Sequence, residues 1–338
     1  MFGIVALGTT LGAPYLVADV VGEYSADTER ILGYGYTTVH RAPADVGVSD
    51  LALAAAQNAL DAAGVSASEL DLLVLGLTDV SEYLYWDAAA ALQSRLGARR
   101  AEAVVITQAC TASLSAIDLV AGRLATRPDY TTALVIGANR CCEPYWNRMQ
   151  TQSMVFSDGA AAAVLRRGHD RNRWLASELL TDGRFADFYR MDVGGAARPF
   201  TTPAAPDGPV AARDAWDIME FFDYDDGALT DFARLIDENA REVVDRACGR
   251  AGLRREDLDH VILLHDNRRA MSSLAAVLGV DPERTNLATS LATGHVGAAD
   301  QLLSLADALN RGRVSPGDRV ALVGVGRGMH WACTLLEA

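Results

Sequence analysis

The sequence predicts an α/β protein made of two similar halves, and three observations carry that prediction. Strand-like apolar runs alternate with helical patterns along the chain. The order of short motifs in the first half returns in the second. The chain has 338 residues, 50% of them hydrophobic, enough for about two domains or one duplicated unit.

Runs of strand length and composition lie at 3–8, 71–77, 103–108, 132–138, 161–166, 259–264 and 319–325. Helical spacing covers 48–63, 87–97, 111–126, 228–252, 269–278 and 298–311. The first of these helices opens at Ser49 or Asp50 and closes before Gly64, residues suited to an N-cap and a C-cap. The helix over 228–252 rests on the spacing of Leu229, Phe232, Leu235 and Ile236. Alternation of this kind implies largely parallel strand pairing, and the abundance of alanine implies helices packed closely on the sheet.

The repeat is specific in order and nearly so in spacing. The stretch 68–75 (SELDLLVL) resembles 256–263 (EDLDHVIL), and each follows an Ala- and Gly-containing helix end. Leu96-Gly97 answers Leu278-Gly279, and Ala109-Cys110 answers Gly294-His295, each pair opening a helix rich in small residues. Ala133 to Gly137 answers Ala321 to Gly324. The charged stretch 166–173 marks the boundary, giving halves 1–168 and 169–338. Duplication places equivalent turns about a pseudo-twofold axis, so Cys110 and His295 are expected to face each other across it.

Composition narrows the function classes. A formal charge of −14 and a pI near 4.8 argue against nucleic acid or an anionic membrane as partner. The chain contains no lysine, which excludes lysine Schiff-base chemistry and a Walker A lysine. Its five cysteines (110, 141, 142, 248 and 333) are odd in number and irregularly spaced, which fits a reducing compartment and offers no metal-ligand pattern. The first twenty residues read as a strand and turn rather than a signal peptide, and no apolar run reaches membrane-spanning length. A soluble, cytoplasmic protein is expected.

The residues suited to chemistry cluster at the strand-to-helix turns. Cys110 lies between the strand 103–108 and the helix 111–126, where unpaired backbone N–H groups and the positive end of the helix dipole favour a thiolate. His295 sits in a small-residue turn entering a helix, and Asp300, five residues on, is placed to hold its imidazole tautomer as in a Cys-His-Asp triad. His265 ends the strand 259–264 and is followed by Asp266, Asn267 and Arg268, so it too can point into a site. Gly326, Arg327 and Gly328 follow the last strand and can bring a backbone N–H beside that of Cys110 to form an oxyanion hole. Asp158 and Gly159, in the run 156–160 (FSDGA), read as structural turn residues, and His40, His169, His260 and His330 as structural or surface ones.

The segment 190–227 carries four prolines and then Trp216, Phe221, Phe222 and Tyr224. It reads as a cap over the substrate pocket, with Trp216, Phe221 and Asn267 as substrate-binding residues; a surface excursion is the alternative. Tyr83, Tyr85 and Trp86 fill either a substrate tunnel or a dimer interface. Arg95, Arg99 and Arg100 form a patch for an acidic carrier protein or a solvated helix end.

The chain resembles the thiolase superfamily and, within it, the ketoacyl-ACP synthase III branch. The resemblance spans nearly the whole length: Gly8-Thr9, the 62–64 helix end, Ala109-Cys110, the 156–160 run, His265 with Asn267, and the closing 326–331 stretch (GRGMHW). It implies a homodimer of five-layered αβαβα subunits and a thioester carried on Cys110. The synthases usually read His-Gln-Ala-Asn where this chain has residues 265–268, and Asn where it has His295. That Asn helps to hold the enolate formed when a malonyl extender loses carbon dioxide. Gly294-His295 with Asp300 is instead similar to the acyltransferases of polyketide and antibiotic tailoring, in which a Cys, a His and an Asp form a triad.

What the resemblance implies is an acyltransferase with Cys110 as nucleophile, His295 as base, Asp300 as its orienting group and His265 near enough to polarise the carbonyl or bind the acceptor. Coenzyme A or an acyl carrier protein supplies the acyl thioester, the acceptor is a hydroxyl of a sugar or polyketide, and no resident cofactor or metal is required. Two other readings fit the same residues: a synthase III-type decarboxylative condensation that primes a polyketide or fatty acid, and a non-catalytic scaffold that binds carrier protein.

Overall fold

The computed structural model describes residues 1–199 and 219–338. Eleven strands occur among the described residues: β1 Phe2–Leu11, β2 Ala13–Leu16, β3 Thr38–Arg41, β4 Leu72–Leu77, β5 Glu102–Ile106, β6 Thr132–Asn139, β7 Gly159–Arg167, β8 Arg173–Thr181, β9 His260–Ile262, β10 Arg319–Gly326 and β11 His330–Glu337. The helices of four or more residues are α1 Val17–Val20, α2 Thr28–Gly33, α3 Val48–Ala63, α4 Ala88–Leu96, α5 Ala112–Thr126, α6 Asp226–Arg250, α7 Arg268–Leu278, α8 Leu287–Thr293 and α9 Asp300–Asn310. Beside a small β2-β3 ribbon, nine strands pair in the order β5-β4-β6-β7-β1-β8-β11-β10-β9.

Between β1 and β8 the ladder is reduced to one residue pair, Gly3 with Arg173, so five strands of the first half and four of the second form two near-separate sheets. Apolar faces then dictate the layers. Leu114, Ile117 and Val120 of α5 and Leu302, Leu303 and Leu305 of α9 pack in one buried cluster with Leu72 and Val74 of β4 and with Val320 and Leu322 of β10. These two helices are the middle layer. Helices α3 and α4 cover the outer face of the first sheet, while α6 and α7 cover that of the second. The result is a five-layered αβαβα sandwich, in which β4, β6, β7 and β10 are buried on both faces and read as continuous apolar runs.

Pairing corrects one expectation. The sheets are mixed rather than largely parallel: β4 pairs in parallel with β5 and β6, and β9 with β10, but β6 with β7, β7 with β1, β10 with β11 and β11 with β8 are antiparallel. The connections give the physical reason. Only three residues, 327–329, join β10 to β11, too few for the crossover a parallel pair needs, and the 140–158 connection from β6 to β7 holds no crossover helix and returns the chain antiparallel. Strands β8 and β11 carry no clean alternation and were not expected from the sequence; their ladder neighbours impose extended structure on them.

The core order of strands and helices recurs in both halves, with the β2-to-β3 excursion added in the first, α8 added in the second, and one strand reduced. The strand that would answer β5 shrinks to an isolated bridge between Val261 and Thr285. The segment 141–158 is held by a buried ion pair: the Arg148 guanidinium bonds both oxygens of Asp158 (3.2 and 3.1 Å) and the carbonyl of Phe156 (2.8 Å). Asp158 also accepts the N–H groups of Ala42 and Cys141, both at 2.8 Å. This cluster ties β3 to the 141–158 segment, which forms one wall of the central cavity.

Candidate active site

Cys110 stands in a 3-10 turn, Ala109–Thr111, that joins β5 to α5. Ala109 takes a left-handed backbone, with φ of 50°, an unfavourable conformation for a residue with a Cβ and one that persists only where packing holds it. The packing is visible. A Cβ on Gly326 of β10 would lie 2.7 Å from the Gln108 carbonyl oxygen and 3.1 Å from the Thr111 nitrogen, so the nucleophile turn rests directly on the backbone of the other half. The reciprocal contact occurs across the pseudo-twofold axis. A Cβ on Gly137 of β6 would lie 2.0 Å from the Ala298 carbonyl oxygen, in the turn that follows His295.

Those two turns bring the side chains together. Cys110 Sγ is 3.1 Å from His295 Nε2, although 185 residues separate them in sequence. His295 Nδ1–H donates to Asp300 Oδ2 at 2.6 Å, and the Val296 N–H donates to Asp300 Oδ1 at 2.7 Å. His295 and Asp300 are fully buried. Burial pushes the imidazole toward its neutral form, but Asp300 and Cys110 outweigh it and hold His295 well above the usual histidine range. A thiol, a base and a carboxylate that fixes the base's tautomer are thus in line, an arrangement that can move a proton off sulfur and return it to a leaving group.

His265 does not join them. Although it was expected to reach an acyl carbonyl, it is fully buried and absent from the cavity wall. Its Nδ1–H donates to the Gly294 carbonyl at 2.8 Å, and its Nε2 accepts from the Ser304 hydroxyl at 2.6 Å. Its backbone N–H donates to Asp300 Oδ2 at 2.9 Å. Burial holds this imidazole below its ordinary value, as a neutral ring with both nitrogens occupied. It supports the Gly294-His295 turn from behind. Strand position alone could not reveal this, since the orientation is set by Ser304 on α9, 39 residues away.

A cavity of about 500 Å³ opens in front of Cys110. Its wall takes Trp146, Met154 and Phe156 from the 141–158 segment, Phe188 and Tyr189 from the stretch after β8, and Phe232 from α6. Phe156 meets the His295 ring edge-on at 5.0 Å, and Trp146 meets Tyr189 at 5.6 Å. Gly326, Arg327 and Asn267 line the cavity too. Arg327 is anchored by a bond from its guanidinium to the Thr78 carbonyl (2.6 Å), and Asn267 caps α7 by accepting the Ala270 N–H (2.9 Å).

Of the remaining expected residues, Phe221 is not in the wall but meets Phe188 edge-on, with centroids 5.3 Å apart, and Trp216 lies outside the described residues. Tyr83 and Tyr85 are exposed and do not line the cavity. Arg95 and Arg100 are engaged by Asp50 and Asp71. Sequence reasoning missed the aromatic wall and Asp266, which lines the cavity. The aromatic wall residues come from three separate segments and share no periodicity. For Asp266 the signal was available, since it adjoins His265.

Among the described residues no group of three or more His, Cys, Asp or Glu side chains could hold a metal ion, and no helix is long and apolar enough to cross a membrane. Two parts of the chain match family models, residues 106–183 that of 3-oxoacyl-[acyl-carrier-protein (ACP)] synthase III and residues 248–338 that of its C-terminal part. The beta-ketoacyl-[acyl-carrier-protein] synthase III of Rhodospirillum rubrum is 31% identical over 310 residues, 90% of this chain and 88% of that protein. That of Thermosynechococcus vestitus is 30% identical over 299 residues, 88% of this chain and 86% of that one. The solved structure of the acyltransferase ChlB3 superposes with a TM-score of 0.86 at 26% identity, covering 100% of this chain and 97% of its own. The chain therefore belongs to the ketoacyl-ACP synthase III family of the thiolase superfamily, a family of transferases and condensing enzymes.

Proposed function

We propose that the protein is an acyltransferase that accepts an acyl group from a coenzyme A or acyl-carrier-protein thioester onto Cys110 and passes it to a hydroxyl of a sugar or polyketide in secondary metabolism. One observation carries this reading. The base beside Cys110 is His295, oriented by Asp300, while His265 has both nitrogens occupied away from the cavity. The site thus offers a proton-transfer chain for an O–H nucleophile. Of the His and Asn that hold the enolate of a decarboxylated malonyl group in the synthases, the His, here His265, is turned away from the cavity, and His295 stands in place of the Asn. The likeness to the acyltransferase ChlB3 supports the same reading.

The steps follow from the geometry. Cys110 Sγ, its proton already passed to His295 Nε2, attacks the thioester carbonyl, and the negative oxygen is held by backbone N–H groups of Cys110 and of the Gly326-Arg327 turn. Collapse expels the donor thiol, which takes the proton from His295. The acceptor hydroxyl then gives its proton to the same nitrogen and attacks the acyl-enzyme, and Cys110 leaves. Phe188, Phe232 and Trp146 exclude water from the acyl-enzyme. No resident cofactor enters these steps. We place the protein in the cytoplasm as a homodimer, with β5, which ends the sheet, and the exposed Tyr83 and Tyr85 as the surface for the second copy.

A second reading is decarboxylative condensation, which the names of the curated relatives favour. Intact-protein mass spectrometry after incubation with a panel of acyl-CoAs, malonyl-CoA included, separates the two. Acyl transfer predicts an adduct of full acyl mass on the wild type, none on Cys110→Ala, and no β-ketoacyl product. An acetyl adduct from malonyl-CoA, or a β-ketoacyl product, would sink it. His295→Ala is expected to slow acylation at least about 10³-fold and His265→Ala no more than about tenfold.

A further inference from the structure

Asp266 is a carboxyl group in the cavity wall with no ion-pair partner among the described residues, His295 acting on it only at longer range. It lies between His265 and Asn267, the N-cap of α7, and shares the cavity with Cys110 and His295. Its Oδ1 accepts the backbone N–H of Asn267 at 2.6 Å and the Asn267 side-chain amide at 3.2 Å, and the Ser153 hydroxyl also bonds the carboxyl. Among the described residues no arginine or histidine side chain lies within ion-pair distance of it. The neighbouring wall mixes apolar residues (Met154, Leu264, Ala270 and Leu274) with the polar Ser153 and Asn267. The basic groups that line the cavity are committed or displaced: His295 to Asp300, Arg327 to the Thr78 carbonyl, and Arg269 on the exposed side of α7.

We propose that Asp266 is a specificity-determining residue that turns away acyl thioesters carrying a second carboxylate, such as malonyl groups, and favours neutral acyl groups and hydroxyl-bearing acceptors. Two carboxylates enclosed in about 500 Å³, one of them with no cation at ion-pair distance, repel at short range and low dielectric, whereas a hydroxyl can donate to the same oxygen. Burial pushes the Asp266 carboxyl up to about 6, so the repulsion switches on as pH rises through that value. The titratable groups that interact with it are Tyr34, Tyr36, Tyr189, and His295 with Asp300. The tyrosines are pushed above their ordinary value and His295 is held well above its own. Asp237 is another cavity carboxyl raised by burial, which makes a variant necessary to assign the step.

The hydroxyl-acceptor half of this inference rests on the acyl-transfer reading; the charge selection does not and is read in the donor step alone. The test measures kcat/KM for acylation of the full-length protein by malonyl-CoA and by isovaleryl-CoA, which replaces the carboxylate with an uncharged group of similar shape. In the wild type the preference for isovaleryl-CoA is expected to rise about tenfold between pH 5.5 and 7.5, since the malonyl carboxylate stays ionised throughout. In Asp266→Asn the ratio is expected to be flat and nearer unity. A wild-type ratio that does not change with pH, which needs no variant to fold, overturns the proposal, as does an unchanged pH-dependent ratio in Asp266→Asn. A β-ketoacyl product overturns acyl transfer instead, and the ratio still decides the role of Asp266.

Discussion

Asp300 receives three donors at once: the imidazole N–H of His295 and the backbone N–H groups of His265 and Val296. An amide in its place can accept on one atom only and turns an NH₂ toward a donor. Asp300→Asn is expected to lose about 10³-fold in the rate of Cys110 acylation, through the wrong His295 tautomer, and about 1–3 kcal/mol of stability through the unpaired groups. Rapid-quench mass spectrometry and thermal unfolding measure the two effects separately. Asp266 gives the opposite stability effect. Burial raises its carboxyl from the ordinary 3.8 to about 6 in the folded protein, so below about pH 4 both states are protonated and stability is unaffected. Between those values the unfolded chain ionises first, and stability is lost as pH rises. Asp266→Asn is therefore expected to be more stable than wild type at pH 7.5, by up to about 3 kcal/mol, with the difference vanishing near pH 4. Urea denaturation at the two pH values reads this directly.

At the scale of elements, the site depends on two glycine strands, each supporting the turn of the other half. Gly326 of β10 lies under the Cys110 turn, and Gly137 of β6 lies under the turn after His295. Neither contact can absorb a methyl group without moving backbone. Gly326→Ala is expected to cost about 1–3 kcal/mol by overpacking and to reduce acylation by about 10–100-fold, since displacing the turn lengthens the 3.1 Å separation between Cys110 and His295. Acylation kinetics at a temperature where both proteins are folded separate the two losses. These glycines were legible only in part. The repeat aligned the strands that carry them, but the glycines matter through contact with a turn from the other half.

At the scale of the whole molecule, the cavity wall depends on the Arg148–Asp158 pair. Both side chains are about 97% buried or more, with 3% and 2% exposure, and Arg148 also pairs with Glu143 at 2.6 Å. Burial works against the Arg148 charge, but its neighbours outweigh it and keep the guanidinium ionised. Arg148→Met strands the Asp158 carboxylate and is expected to destabilise the protein by about 3–5 kcal/mol, with loosened packing of Trp146 and Phe156. Guanidinium unfolding gives the first quantity, and Trp fluorescence of the folded variant reports the second.

The sequence by itself determined the two-halved α/β architecture and the local grouping of His295 with Asp300, because both depend on short-range order: apolar periodicity, turn residues and a spacing of five positions. The repeat added the expectation that Cys110 and His295 face each other, and the structure brings their side chains within 3.1 Å. Tertiary structure alone decided the rest. His265 faces inward because Ser304 and Gly294, distant in the chain, offer its nitrogens better partners than an open cavity does. The mixed pairing came from how the strands are connected, and the aromatic wall came from residues without a common period. Side-chain direction and cavity shape are properties of long-range packing, and no local pattern encodes them.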